Sequence, residues 1–248
     1  MNEYFRKQTE TVVLSFLANA QDVTLFRTPG NIGDRLILAG VKSLLSGTPY
    51  QQHDLIDAHE LQGDVAIICG SGGFCRPFHR MPRLIAPVEA GFRRVLILPS
   101  SFDLAEPSVL SWIKQTRSTV MARDVVSFEA IAPHCNAIMG IDMACFCDLR
   151  PFRRAGFGVL DAFRTDHESR LPLQPPLNRD ISLTCSSLDA WLETIARHER
   201  VRTDRAHVMV AAALMGKRVQ AWESSYHKVA GIAAAAGLDV EIMEGAPC

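Results

Sequence analysis

The sequence predicts an α/β protein made of two Rossmann-like parallel-sheet lobes facing across a cleft. Three observations predict it. Uniformly apolar runs such as Val65–Cys69 and Val95–Leu98 alternate with stretches whose apolar residues recur at helical spacing. Strands apolar on both faces belong to parallel sheets covered by helices on either side. The alternation then loosens around residues 148–156 (DLRPFRRAG) and starts afresh, which divides the chain into an expected N-terminal domain, 1–150, and a smaller C-terminal one, 155–248.

In chain order, the first twenty residues read as an amphipathic helix rather than a signal peptide, because the run lacks a long uncharged apolar core. Val23–Phe26 is a short apolar strand that feeds the turn Gly30-Asn31-Ile32-Gly33-Asp34. From Asp34, residues Leu36, Ile37, Gly40, Val41, Leu44 and Leu45 fall on one helical face. The strand Val65–Cys69 runs into Gly70-Ser71-Gly72-Gly73, and Val95–Leu98 ends at Pro99-Ser100-Ser101. Helices are expected around 83–91 and 107–116, a strand at Thr119–Ala122, and a helix from Val126 to Ile131. In the second half, Phe157–Phe163 and Ile181–Thr184 read as strands, separated by a Pro-rich loop over Leu171–Arg179. A helix follows over Leu188–Arg197, with Leu188, Trp191, Leu192 and Ile195 on its apolar face. Val201-Arg202-Thr203 leads into a helix from Asp204, read as its cap, to Met215, stopped by Gly216. Lys217–Trp222 is the next strand and Tyr226–Ala236 the next helix.

Composition excludes several functions. Lys and Arg number 26 against 27 Asp and Glu in 248 residues, so no basic field recommends nucleic acid as a partner. No apolar run has the length of a membrane span, and a cytoplasmic protein is expected. Seven cysteines, an odd number that includes Cys248, show no zinc spacing; free thiols in a reducing compartment fit best. Cys145-x-Cys147 is half of a metal site at most and reads more naturally as small apolar filler, so no metal is expected.

Open parallel sheets bind ligands at the carboxyl ends of their strands, where these glycine-rich turns sit. The 30–34 turn either offers first-turn N–H groups to an anion or is a plain bend capped by Asp34. Gly70–Gly73 is a second wall for the same site. Arg123, at a strand end with Ser127 four residues later, either grips an oxyanion or makes a surface ion pair. The segment Val201–Lys228 carries the strongest signal. A guanidinium (Arg205) and an imidazole (His207) stand at the mouth of a helix whose following residues, Val208–Met215, must be buried. Such groups are costly there unless they face a ligand.

In these segments the chain resembles the polysaccharide pyruvyltransferases, which move pyruvate from phosphoenolpyruvate onto sugars. Gly30–Asp34 resembles that family's GNxGD loop, Gly70–Gly73 its next glycine-rich loop, and Arg123–Ser127 its RDxxS element. Residues 162–168 resemble its R-x-D-x-E strand end, and 204–228 its D-R-L-H helix, G-K-x-V strand and S-Y-x-K element. Two departures stand out: Ala206 replaces the family's usual Leu, and the chain is short for the family.

The resemblance implies a glycosyltransferase-B-like fold. It further implies an enzyme that uses phosphoenolpyruvate as co-substrate, with no cofactor, to form a ketal on a sugar of an exopolysaccharide or cell-surface precursor, lipid-linked or free. His207 is the expected proton-transfer group, with Asp34 or Asp166 as base. Arg205, Arg123, Ser127, Gly72 and Gly73 are expected at the donor. Asn31, Gly33, Arg164, Tyr226 and Lys228 are expected at the acceptor or phosphate. The alternatives are a nucleotide-sugar glycosyltransferase on the same fold, for which no nucleobase site is legible, and a non-catalytic relative that assists polysaccharide assembly.

Overall fold

Alternation along the strands decides which residues meet which helices. In the computed structural model, which describes residues 1–171 and 173–245, strand β1 (Val23–Arg27) is flanked by β2 (Gln51–Asp54) and β3 (Gly63–Ile68). The sheet continues through β4 (Phe92–Ser100), β5 (Thr119–Ala122) and β6 (Ala137–Met139) in the order β2-β1-β3-β4-β5-β6, and each neighbouring pair is parallel. Leu25, Val65, Ile67, Leu96 and Leu98 point to one face, while Phe26, Ala66, Ile68, Val95 and Ile97 point to the other. This period of two gives each face its own buried cluster.

A second sheet has the order β10-β9-β8-β7, again parallel throughout: β7 (Val159–Asp161), β8 (Arg200–Thr203), β9 (Arg218–Trp222) and β10 (Glu241–Met243). Helices α1 (Glu3–Leu17), α2 (Asp34–Leu44), α3 (Met81–Gly91), α4 (Pro107–Ile113) and α5 (Val125–Ile131) accompany the first sheet in sequence. With the second come α6 (Ile181–Thr184), α7 (Leu188–Ala196), α8 (Ala206–Leu214) and α9 (Lys228–Ala236). Helix α8 is apolar all round and buries Val208–Ala212 entirely, as a helix packed on every side must. It lies in a buried cluster that also holds Leu36 and Met143 from the first half of the chain, so that core is continuous between the sheets.

Several expectations need correction. Ile181–Thr184 is a short helix, not a strand. The Asp180 carbonyl accepts the N–H groups of Leu183 and Thr184, so this segment bonds within its own turn and the sheet ends at β7. The strand expected over Phe157–Phe163 is only Val159–Asp161, and Phe157 stands 89% exposed. Asp204 does not cap α8. Arg205 occupies the cap position, and Asp204 Oδ1 instead accepts the N–H of Arg164 from the β7 loop at 2.8 Å. Strands β2, β6 and β10 escape the sequence reading because they are short, and β2 (QQHD) is polar. Pro172 of the Pro-rich loop and Cys248 lie outside the described residues.

Candidate active site

The carboxyl ends of strands from both sheets open onto one cleft of about 450 Å³. The first sheet contributes Gly30, Asn31, Gly33 and Asp34 after β1, Ser71–Gly73 after β3, and Arg123 after β5. The second contributes Arg164, Asp166 and Glu168 after β7, Arg205 and His207 after β8, and Tyr226 and Lys228 after β9. Of the residues singled out from the sequence, the structure brings all but Ser127 to this cleft.

The 30–34 turn closes on itself. The Asn31 N–H donates to Asp34 Oδ2 at 2.7 Å, and the Gly33 N–H to Asn31 Oδ1 at 2.8 Å. The N–H groups of Asp34 and Arg35 reach the Asn31 and Ile32 carbonyls, both at 3.1 Å. An anion therefore finds these donors already used and a carboxylate among them, which corrects the expectation of an anion cradle. The glycine at 30 has a local reason: a Cβ there would lie 2.1 Å from Asp34 Oδ2. Gly72 has an inter-sheet one, since a Cβ would lie 2.6 Å from the Tyr226 hydroxyl. With no side chain at 72, the loop approaches the Tyr226 ring of the opposite wall without displacing it.

Arg123 is 1% exposed, with Nε donating to Ser101 Oγ at 2.9 Å and Nη1 to Asp142 Oδ2 at 2.8 Å. Burial alone would lower its pKa, but Asp142 leads the charges that outweigh this and raise it. Ser127 turns away from the cleft. Its hydroxyl donates to Asp124 Oδ2 at 2.9 Å and accepts the Phe102 N–H at 2.8 Å, so the expected grip on a donor oxyanion is not built. Asp124 also faces His227 Nε2 at 3.1 Å.

On the other wall, side-chain ion pairs dominate. Arg164 forks onto Asp166, at 2.8 and 3.2 Å, and contacts Glu168. Lys228 Nζ lies 2.9 and 3.2 Å from the two Glu168 oxygens and 4.6 Å from the centre of the Tyr226 ring. Arg205 Nη2 donates to Asp180 Oδ2 at 2.5 Å and to Asp166 Oδ2 at 3.1 Å. Burial, then the neighbouring Arg205, lowers the Arg164 pKa, and burial with Arg164 and Arg123 lowers Lys228 well below the usual lysine range. Burial likewise lifts Tyr226 well above the phenol range and raises Asp204 to about 6. Arg164 Nη1, Arg205 Nε and His207 Nε2 are buried without a hydrogen-bond partner. Orphaned donors of this kind are rare and mark places where a ligand or an induced movement completes the bonding.

His207 stands between the walls. Nδ1 lies 3.7 Å from Asp34 Oδ1, and Nε2 lies 3.5 Å from Asp142 Oδ2. Sequence reading missed Asp142, Asp180 and His227. Asp142 follows β6, so the strand-end rule points to it once that strand is recognised. Asp180 precedes the segment misread as a strand. His227 lies inside the S-Y-x-K element without being one of its defining letters.

Among the described residues, no helix is long and apolar enough to cross a membrane, and no group of three or more His, Cys, Asp or Glu side chains is placed to hold a metal ion. The fold matches the crystal structure of a functionally uncharacterized protein from Klebsiella pneumoniae subsp. pneumoniae, with a TM-score of 0.79, 21% sequence identity, and coverage of 99% of this chain and 100% of that one. Comparison with curated proteins gives no match. A family model for polysaccharide pyruvyl transferases matches residues 31–219, from the Asn31 turn through His207 to β9. With most of the cleft lining and well over half its length inside that match, the chain belongs to the polysaccharide pyruvyl transferase family.

Proposed function

We propose that the protein transfers the pyruvyl group of phosphoenolpyruvate to two hydroxyls of a saccharide and leaves a cyclic ketal. We further propose that it needs no cofactor, acts in the cytoplasm on an exopolysaccharide or cell-surface precursor, and works as a glycosyltransferase-B-like pair of lobes. The observation that carries this reading is the cleft in which His207, Arg123, Arg164 and Arg205, all inside the family match, meet a fourth buried cation, Lys228, that lies just beyond it.

Phosphoenolpyruvate puts a phosphate and a carboxylate on one small molecule, and forked or charge-assisted donors suit both. Arg123 is the best-placed donor anchor. Its Nη2 has no hydrogen-bond partner among the described residues and lies 3.5 Å from where a Gly72 Cβ would be. Arg205 and Arg164 are already committed to carboxylates, so they close the far side and supply the orphaned Nε and Nη1.

The chemistry adds a proton to the methylene carbon, which makes the adjacent carbon electrophilic. One sugar hydroxyl attacks that carbon and gives its proton to a base. A second hydroxyl then adds as the carbon–oxygen bond to phosphate breaks, and its proton leaves with inorganic phosphate. His207 delivers the first proton. Among the described residues no guanidinium pairs with Asp34, unlike Asp166, and Asp34 faces His207, which favours it as the base.

The test is binding followed by turnover. Phosphoenolpyruvate is expected to raise the melting temperature, and a saccharide acceptor to trigger phosphate release with a new ketal methyl signal by NMR. His207→Ala is expected to lower turnover about 10²–10⁴-fold while the melting shift survives. A melting shift from nucleotide sugars instead would make the protein a glycosyltransferase. A shift from neither would point to a non-catalytic role.

A further inference from the structure

Asp142 belongs to none of the motif-bearing segments, yet its carboxylate joins groups from both sheets. It is 1% exposed. Oδ1 accepts the Ala144 N–H at 2.8 Å, which locks the side chain to its own backbone. Oδ2 receives Arg123 Nη1 at 2.8 Å from the first sheet and faces His207 Nε2 at 3.5 Å from the second. Asp142 itself is kept ionised. Burial alone would raise its pKa, but Arg123 first, then His207 and the Ala144 N–H, hold it well below the usual carboxylate range.

The two nitrogens of His207 occupy different places. Nε2 is fully buried, and the Asp142 oxygen is the carboxylate it faces. Nδ1 turns toward the 30–34 turn, 3.7 Å from Asp34 Oδ1 and 3.3 Å from where a Gly33 Cβ would stand, on the open side of the cleft. A neutral imidazole carries one N–H and one lone pair, and its partner fixes which nitrogen holds which. A separation of 3.5 Å is longer than a finished hydrogen bond, and contacts of this kind often shorten once substrate binds.

We propose that Asp142 is the positioning residue of the site: it holds the His207 proton on Nε2, so that Nδ1 is the nitrogen that exchanges a proton with the reacting groups. Because the same carboxylate oxygen holds Arg123, it also keeps the proposed donor anchor in register with the proton-transfer group across the cleft. This rests on the reading of His207 given above, which sequence motifs alone cannot refine to one nitrogen. It explains why an acid outside every recognised motif is buried at the junction of the walls.

The test is nitrogen-15 NMR of histidine-labelled protein, with the His207 signals assigned by their loss in His207→Gln. At a pH where the ring is neutral, the proton is expected on Nε2 in the wild-type protein; a proton on Nδ1 overturns the proposal without any variant. In Asp142→Asn the expected result is loss of that preference, because the carboxylate oxygen at 3.5 Å that selects the Nε2 proton has been replaced. An unchanged tautomer in a folded variant also overturns it. With phosphoenolpyruvate and an acceptor, Asp142→Asn is expected to lower kcat at least tenfold and to displace the pH profile. If phosphoenolpyruvate fails to bind the wild type, the functional reading fails alone, since the NMR result needs no substrate.

Discussion

The cleft has one wall organised by backbone and another organised by charge. After β1 and β3 the polar groups are N–H donors satisfied within a few residues, as in Asn31 with Asp34 or Gly73 with Ser71 Oγ at 2.8 Å. After β7, β8 and β9 they are ionised side chains satisfied by one another: Arg164 with Asp166 and Glu168, Lys228 with Glu168, Arg205 with Asp180. A backbone wall sets shape at small electrostatic cost. A charged wall can hold oxyanions, but each cation lost from it removes a partner from a carboxylate of the network. The difference also separates the chemistry each can offer: the turns after β1 and β3 suit hydroxyls, whereas Arg123 after β5 and the cations of the second wall suit ionic groups.

The largest effect that sharpens this contrast is expected from the charged wall. Arg164→Ala leaves Glu168, which is 1% exposed, with Lys228 alone, and Asp166 with Arg205 alone. Breaking a buried pair in this way costs about 3–5 kcal/mol, read as a lower denaturation midpoint with unchanged slope. A loss below about 1 kcal/mol would mean the network behaves as a solvated surface pair, and the contrast between the walls would collapse.

A smaller effect is expected where the walls touch through the backbone. Gly72→Ala places a methyl group 2.6 Å from the Tyr226 hydroxyl, and relief requires the buried Tyr226 ring or the loop to shift. Overpacking of this kind costs about 1–3 kcal/mol. Tyr226→Phe removes the obstructing oxygen, so the double variant is expected to regain most of the loss, a coupling that a double-mutant cycle measures directly. Additive losses would show that the glycine serves its own turn rather than the approach of the opposite wall.

The sequence reveals the two walls unequally, for the same physical reason. Val65–Cys69 and Val95–Leu98 are legible as strands because burial on both faces makes them apolar throughout, and the glycines after them mark the first wall. Most of the charged groups are legible through the family resemblance, which names residues but not their partners. Asp142 and Asp180 remain hidden because each pairs with an arginine distant in sequence, Arg123 and Arg205, and no local spacing encodes such a pair. Asp204 shows the opposite failure. An acid before a helix reads as a cap, but tertiary contact with the Arg164 N–H claims it. Ile181–Thr184 has strand-forming residues, but its backbone bonds to the Asp180 carbonyl instead of to a neighbouring strand.

The smallest expected effect lies where the walls meet outside the cleft lining. His227 Nε2, at the start of α9, faces Asp124 Oδ1, at the start of α5, at 3.1 Å. The bond to Asp124, against partial burial, raises the His227 pKa from 6.5, and Glu223 and Asp103 add to the rise. Burial alone would raise Asp124, but His227, the Ser127 N–H and the Ser101 hydroxyl together lower it from 3.8. Below pH 6.5 the ring is charged in both folded and unfolded chains, so its stabilising contribution is complete; it is lost as pH rises through the higher folded value. On the acid side, the Asp124 contribution is present above 3.8 and lost as pH falls through its lower folded value. The contact is therefore strongest between those two ordinary values. With the imidazole 33% exposed, it is worth about 0.2–1 kcal/mol, or roughly 1–3 °C in melting temperature for a chain of this size. His227→Gln is expected to melt below the wild type by that amount at pH 5.5 and to match it at pH 8.5. An equal gap at both pH values would assign the residue a packing role and remove the titratable link between the walls.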